Sequence, residues 1–211
     1  MKPHSRLERA ALADLLEDLG PDAPTLCGDW DTRDLAAHLV ARDRRPDSGP
    51  GLVVPALAGW TEKVRRDVRD DSGYAELVEL VRTGPPIWSP VGLPFVESAS
   101  NTVEYYIHHE DVRRAQPGWT PRALSKGLED SLWNRLRATA RLMLRSAPVG
   151  VRLVTPDGRE VTAKSDEPLV TLTAAPSELI LYCAGRQAVA RVNADGDPDA
   201  IARLAKATLR I

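Results

Sequence analysis

Glu104-Tyr105-Tyr106-Ile107-His108-His109-Glu110-Asp111 is the stretch on which the reading of this chain turns. Glu104 and His108 are four residues apart, so on a helix they stack on one face. Asn101 and Asp111 extend the same stripe. Taken alone, such a stripe reads as a solvated polar face. The helix that carries it is predicted from about Glu97 to Ala115, where Pro117-Gly118 breaks it. His109 lies about 100° round that helix from His108. It is therefore a candidate acid or base beside the stripe rather than part of it.

A second stretch changes the estimate: Cys27-Gly28-Asp29-Trp30-Asp31-Thr32-Arg33-Asp34-Leu35-Ala36-Ala37-His38-Leu39. Asp31 is a predicted N-cap, and Leu35 and Leu39 mark an inward face. His38 sits between them and should point into the bundle. An inward histidine by itself is more often a satisfied core residue than a ligand. Two helices that each offer donors can converge His38, Glu104 and His108 on one point. Two imidazoles and a carboxylate suit zinc, nickel or ferrous iron, and three protein ligands leave positions open for water or substrate. Asp111, one turn beyond His108, reads two ways. It could accept the second ring N–H of a metal-bound His108, or it could pair at the surface with Arg113 or Arg114.

Other helices fill out the first 147 residues. Ser5-Arg6-Leu7-Glu8 reads as a capping box, with Leu7, Ala11, Leu15 and Leu19 facing inward until Gly20-Pro21. His4 falls in what reads as a frayed terminus. Helices are expected from Trp60 to Val68 and around Tyr74 to Val81. The segment from Leu52 to Ala58 contains Pro55 and is left open. Residues 84–95 hold four prolines and read as an extended connection. Thr120-Pro121 is read as the cap of the longest helix, to about Ser146, with Leu124, Leu128, Leu132, Leu136 and Met143 along one side. At Pro148 the pattern changes to short β-like runs in the order β-β-β-α-β-α, with Thr155-Pro156-Asp157-Gly158 as a hairpin turn and Gln187 to Val192 as the last strand. Residues 1–147 are thus expected to form a helical bundle, and 148–211 a small α+β domain.

Composition narrows the function classes. Charged residues make up 27% of the 211 and the net charge is −2, so a polyanion such as nucleic acid is a poor partner. No apolar run is long enough to span a bilayer. The start, Met1 to Arg6, leads into an amphipathic segment rather than an apolar signal core, so the expected location is the cytoplasm. The two cysteines are too few for a disulfide scaffold or a Cys-rich zinc module. Cys183 is expected as a small buried hydrophobe.

The run from Cys27 to Leu39, together with Glu104-x-x-x-His108, resembles the mycothiol-dependent maleylpyruvate isomerase family, of the DinB-like metalloprotein superfamily. The resemblance extends over nearly the whole chain, because family members carry a small α+β tail similar to sterol carrier proteins. It implies a DinB-like four-helix bundle with a metal, usually zinc, on His38, Glu104 and His108. It also implies mycothiol, the low-molecular-weight thiol of actinobacteria, as co-substrate. The Arg excess over Lys, 23 to 5, is compatible with such a host. The His108–Asp111 run and the proline-rich segment mark a subgroup distinct from the isomerase itself. By location, Arg186 and Arg203 are the candidates for the family's C-terminal arginine.

Two functions follow as expectations. One is a metal-dependent thiol transferase or isomerase acting on a small electrophile, with Tyr105, Tyr106 or His109 moving protons. The other is a non-enzymatic protein with a structural ion, closed by Cys27 as a fourth ligand, and a small domain that binds a ligand or partner.

Overall fold

The computed structural model describes residues 3–49, 58–93 and 101–209. Helices dominate: α1 (His4–Leu19), α2 (Thr32–Arg44), α3 (Ala58–Asp71), α4 (Tyr74–Thr83), α5 (Thr102–Arg114), α6 (Lys126–Met143), α7 (Pro176–Cys183) and α8 (Pro198–Lys206). Among the described residues, one four-stranded sheet accompanies them: β1 (Gly150–Val154), β2 (Glu160–Lys164), β3 (Leu169–Thr173) and β4 (Asn193–Asp195). No described helix is long and apolar enough to cross a membrane. The expected helix start at Glu97, and the segment 52–57, lie outside the described residues.

The chain divides into two compact units, residues 1–121 and 122–211. In the first, α1 packs on α4 and α5, and α2 packs on α3 and α4. Their shared core includes Leu12 and Leu16 of α1, Leu35 and Leu39 of α2, Leu77 and Val81 of α4, and Tyr105 and Val112 of α5. The buried face of α1 differs from the leucine repeat. It runs Ser5, Glu8, Arg9, Leu12, Ala13 and Leu16, while Leu7 is half exposed. The first turn buries polar groups, so apolar periodicity pointed one step round the helix. No capping box forms: the helix starts at His4, Ser5 is already inside it, and Glu8 goes to His109 instead. At the end of α4, Gly84 has φ 79° and lies against the Arg9 guanidinium, so a side chain there would overlap Arg9.

Asp31 caps α2 as read, accepting from the Asp34 amide at 2.7 Å. The preceding loop is tied on both sides. Thr25 Oγ1 donates to the Trp30 carbonyl and accepts from the Cys27 amide, and the Leu26 amide donates to the Asp111 carbonyl of α5 at 3.1 Å. These bonds bring Cys27 against α5.

In the second unit, α6 packs on α7 and β2. It begins at Lys126 with Ser125 as cap, five residues later than the Thr120-Pro121 signal suggested. Leu128, Leu132, Leu136 and Met143 are its buried side, and Leu124 precedes it. The change of sequence pattern at 148 and the division by packing therefore fall at different places. Periodicity marks where helix gives way to strand, whereas α6 spends its apolar face on the sheet side. Strand order is β2-β1-β3-β4, with β1 parallel to β3 and the other pairs antiparallel. Val151 pairs with Val170 and Leu153 with Leu172, so one face of the sheet is apolar and buried. The last strand is Asn193–Asp195, not Gln187 to Val192, which forms turns and coil. The α7 N-terminus is met by Glu129, whose carboxylate accepts from the Ser177 amide and hydroxyl at 2.9 and 2.8 Å.

Candidate metal centre

Helices α2 and α5 present His38, Glu104 and His108 to one another. The Nε2 atoms of His38 and His108 lie 3.5 and 3.4 Å from the same oxygen, Glu104 Oε1. One donor atom from each of the three residues falls within 4.8 Å of the others. Two nitrogen or oxygen donors bound at about 2.1 Å to a tetrahedral ion stand about 3.4 Å apart. The donor spacing therefore fits one ion of that kind. The His38 and Glu104 side chains are 23% and 29% exposed, so the group is reachable from solvent.

The rest of His108 is fixed from behind. Its Nδ1 lies 3.0 Å from Oδ2 of the fully buried Asp111. This is the arrangement by which a carboxylate fixes the tautomer and aim of a ligating imidazole. Arg113 and Arg114, the surface partners considered for Asp111, both pair with Glu110. Cys27 Sγ donates to the same Asp111 oxygen at 3.1 Å and stands 3.8 Å from His108 Nδ1. Cys27 thus faces the Nδ1 edge of the ring, and the three donors face the Nε2 edge. Trp30 packs beside His38 with ring centres 5.2 Å apart, and the Arg65 guanidinium lies 4.8 Å from the Trp30 ring.

Charge is dense here. Burial works against the ionised Glu104, but Arg42 and the two imidazoles outweigh it and hold its pKa well below the usual carboxylate range. Burial also opposes a charged His108, yet Asp111, Cys27 and Glu104 carry its pKa well above the ordinary histidine value. For His38 burial wins and the pKa falls. Glu104 and Asp43 flank the Arg42 guanidinium, and Asp111 adds a third carboxylate on the far side of His108. In the metal-free protein a protonated His108 offsets part of this negative charge, and a bound cation would take that proton's place. The residues present fit a divalent metal by spacing and by donor chemistry.

Of the remaining sequence candidates, three lie on α5 itself. His109 is buried with Nδ1 3.0 Å from Glu8 Oε2 of α1. Tyr105 is fully buried and donates to Asp43 Oδ2 at 2.7 Å, and burial raises its pKa. Tyr106 is buried on the same helix. Arg186 and Arg203 belong to the second unit. Arg186 donates to the Ala184 carbonyl at 2.6 Å, and Arg203 lines a shallow depression with Asp197, Asp199 and Lys206. Sequence reasoning passed over Arg42, which contacts Glu104. Its position one turn after His38 on α2 was the available signal.

Two solved structures match this architecture: the mycothiol-dependent maleylpyruvate isomerase, and a variant of it in which a histidine is replaced by alanine. The chain shares the fold of that isomerase. Each match covers 91% of this chain and 90% of the other, with a TM-score of 0.53 and 14% sequence identity. No family model and no curated protein sequence matches the chain.

Proposed function

We propose that this protein is a cytoplasmic, metal-dependent thiol transferase or isomerase. In this reading a DinB-like four-helix bundle holds one divalent ion, zinc by preference, on His38, Glu104 and His108. Mycothiol is the thiol co-substrate, and a small electrophilic molecule is its acceptor. The observation that carries the reading is the convergence of the three donors, from two helices, with buried Asp111 behind His108.

An ion bound there would lower the pKa of a thiol, so that a thiolate forms at neutral pH and adds to an electrophilic carbon. The chain's own residues supply the setting. Asp111 aims the His108 ring, Arg42 holds Glu104, and Trp30 walls the His38 side. Cys27 lies at the far edge of His108 from the donors, which favours an open coordination position over a closed structural site.

The test is metal analysis of the purified protein, followed by calorimetric titration with mycothiol before and after chelation. Near-stoichiometric metal is expected, with thiol binding that requires the ion and is lost in Glu104→Ala. Absence of stoichiometric metal, with a thermal midpoint unchanged by chelator, would end the proposal. Tight metal without thiol binding would move the protein to the structural-ion reading.

A further inference from the structure

Arg42 lies mostly buried beside the three donors. Its side chain is 12% exposed, and all three guanidinium nitrogens are engaged. NH1 donates to Asp43 Oδ1 at 2.9 Å, NH2 donates to Asn101 Oδ1 at 2.7 Å, and Nε lies 3.3 Å from Glu104 Oε1. Both anchors are themselves fixed. Asp43, 1% exposed, accepts from Tyr105 on its other oxygen, and the Asn101 amide donates to the Val91 carbonyl at 2.8 Å. Two nitrogens of a planar fork are thus committed to partners that are themselves hydrogen-bonded, and the third points at the carboxylate oxygen that both imidazoles flank.

We propose that Arg42, set by Asp43 and Asn101, is the positioning residue that holds Glu104 between His38 and His108 for metal binding. The inference rests on the metal reading above and deepens it. Glutamate has three rotatable bonds and here an exposed edge, so an unheld Glu104 would lose freedom whenever it ligated an ion. Held in advance, it does not. A carboxylate has about four acceptor positions, so Nε can keep its contact while another lone pair takes the ion. Lysine carries the same charge but has one nitrogen, which cannot reach Asp43, Asn101 and Glu104 together.

The test compares Arg42→Lys, Arg42→Gln and Asn101→Ala with the parent, all full-length and stripped of metal. Each is titrated with cobalt(II) against a competing chelator while the visible spectrum is followed. Both Arg42 variants should bind cobalt at least about 10-fold more weakly, with Lys no better than Gln and with altered ligand-field bands. Asn101→Ala, which keeps the charge and releases one anchor, should weaken binding by a few fold and shift the bands the same way. Parent-like affinity and spectrum in Arg42→Lys would show that charge alone matters and overturn the proposal. Tighter cobalt binding by Arg42→Gln would overturn it too, by showing that Arg42 opposes the cation. Should the Arg42 variants fail to fold by circular dichroism, an unchanged Asn101→Ala protein would be decisive against it. A parent that binds no cobalt sinks the metal reading and this inference with it. A parent that binds, with variants that match it, sinks this inference alone.

Discussion

The two units bury different kinds of side chain. Among the described residues, the first buries Glu8, Arg9, Asp43, Arg65, His109, Glu110, Asp111 and Arg114, whereas Glu178 is the charged residue buried in the second. The second unit's interior is instead Val151, Leu153, Val170, Leu172, Leu179, Ile180, Leu181 and Cys183. An apolar interior stabilises by removing surface from water and asks for no partner. Buried ions seldom add net stability, because desolvation takes back most of their attraction. On the proposed function the metal lies among these charges, so the first unit should answer to metal, chelator and pH while the other answers to packing.

Removing a donor gives the largest expected effect. If three ligands share the roughly 10–16 kcal/mol of a tight zinc site, His38→Ala or His108→Ala should each weaken zinc binding on the order of 1,000-fold. Full occupancy in either variant, read by mass spectrometry under native conditions, would break the contrast between the units. Next in size is a packing change in the second unit. Leu153→Ala should cost about 2–5 kcal/mol in denaturant unfolding, and metal stoichiometry should stay at the parent value. A metal loss there would show that the units do not divide the labour as described.

Asp111→Asn should lower metal affinity about 10–100-fold with little change in the circular dichroism spectrum. The pH dependence is expected next. The raised His108 pKa stabilises the metal-free protein below the unfolded value, and this contribution is lost as pH rises through the folded value. The ion needs neutral imidazoles, so its binding tightens over the same rise in pH. The thermal shift caused by metal should therefore widen as pH rises above the ordinary histidine range, and a shift that narrows would contradict the ligand set. Cys27→Ala is expected to be the mildest, a few-fold loss in affinity, since the thiol shares the Asp111 oxygen with His108 and faces away from the donors. A loss as deep as that of His108→Ala would make Cys27 a ligand.

Much of the first unit was legible locally. Asp31 caps α2, Leu35 and Leu39 face inward, and Glu104 and His108 share a helix face, all set by neighbours within a turn or two. On α1 the buried face opens with Ser5, Glu8 and Arg9, which no apolar count can find. At Thr120-Pro121 a good cap signal lost to Ser125, whose side chain accepts from the Leu128 amide. Arg42 was visible by spacing from His38, but its engagement with Asn101 depends on a helix far along the chain.

Taken alone, the sequence determined most of the helices, the first three strands and which residue types stand one turn apart, because those preferences act over a few residues of backbone. Tertiary structure alone decided that the His38 imidazole meets the Glu104–His108 pair, that Asp111 lies behind the ring and that α6 packs with the sheet. Such meetings join parts of the chain that share no local preference. Packing of the buried faces and the loops that allow it select them, so they exist only once the whole unit has closed.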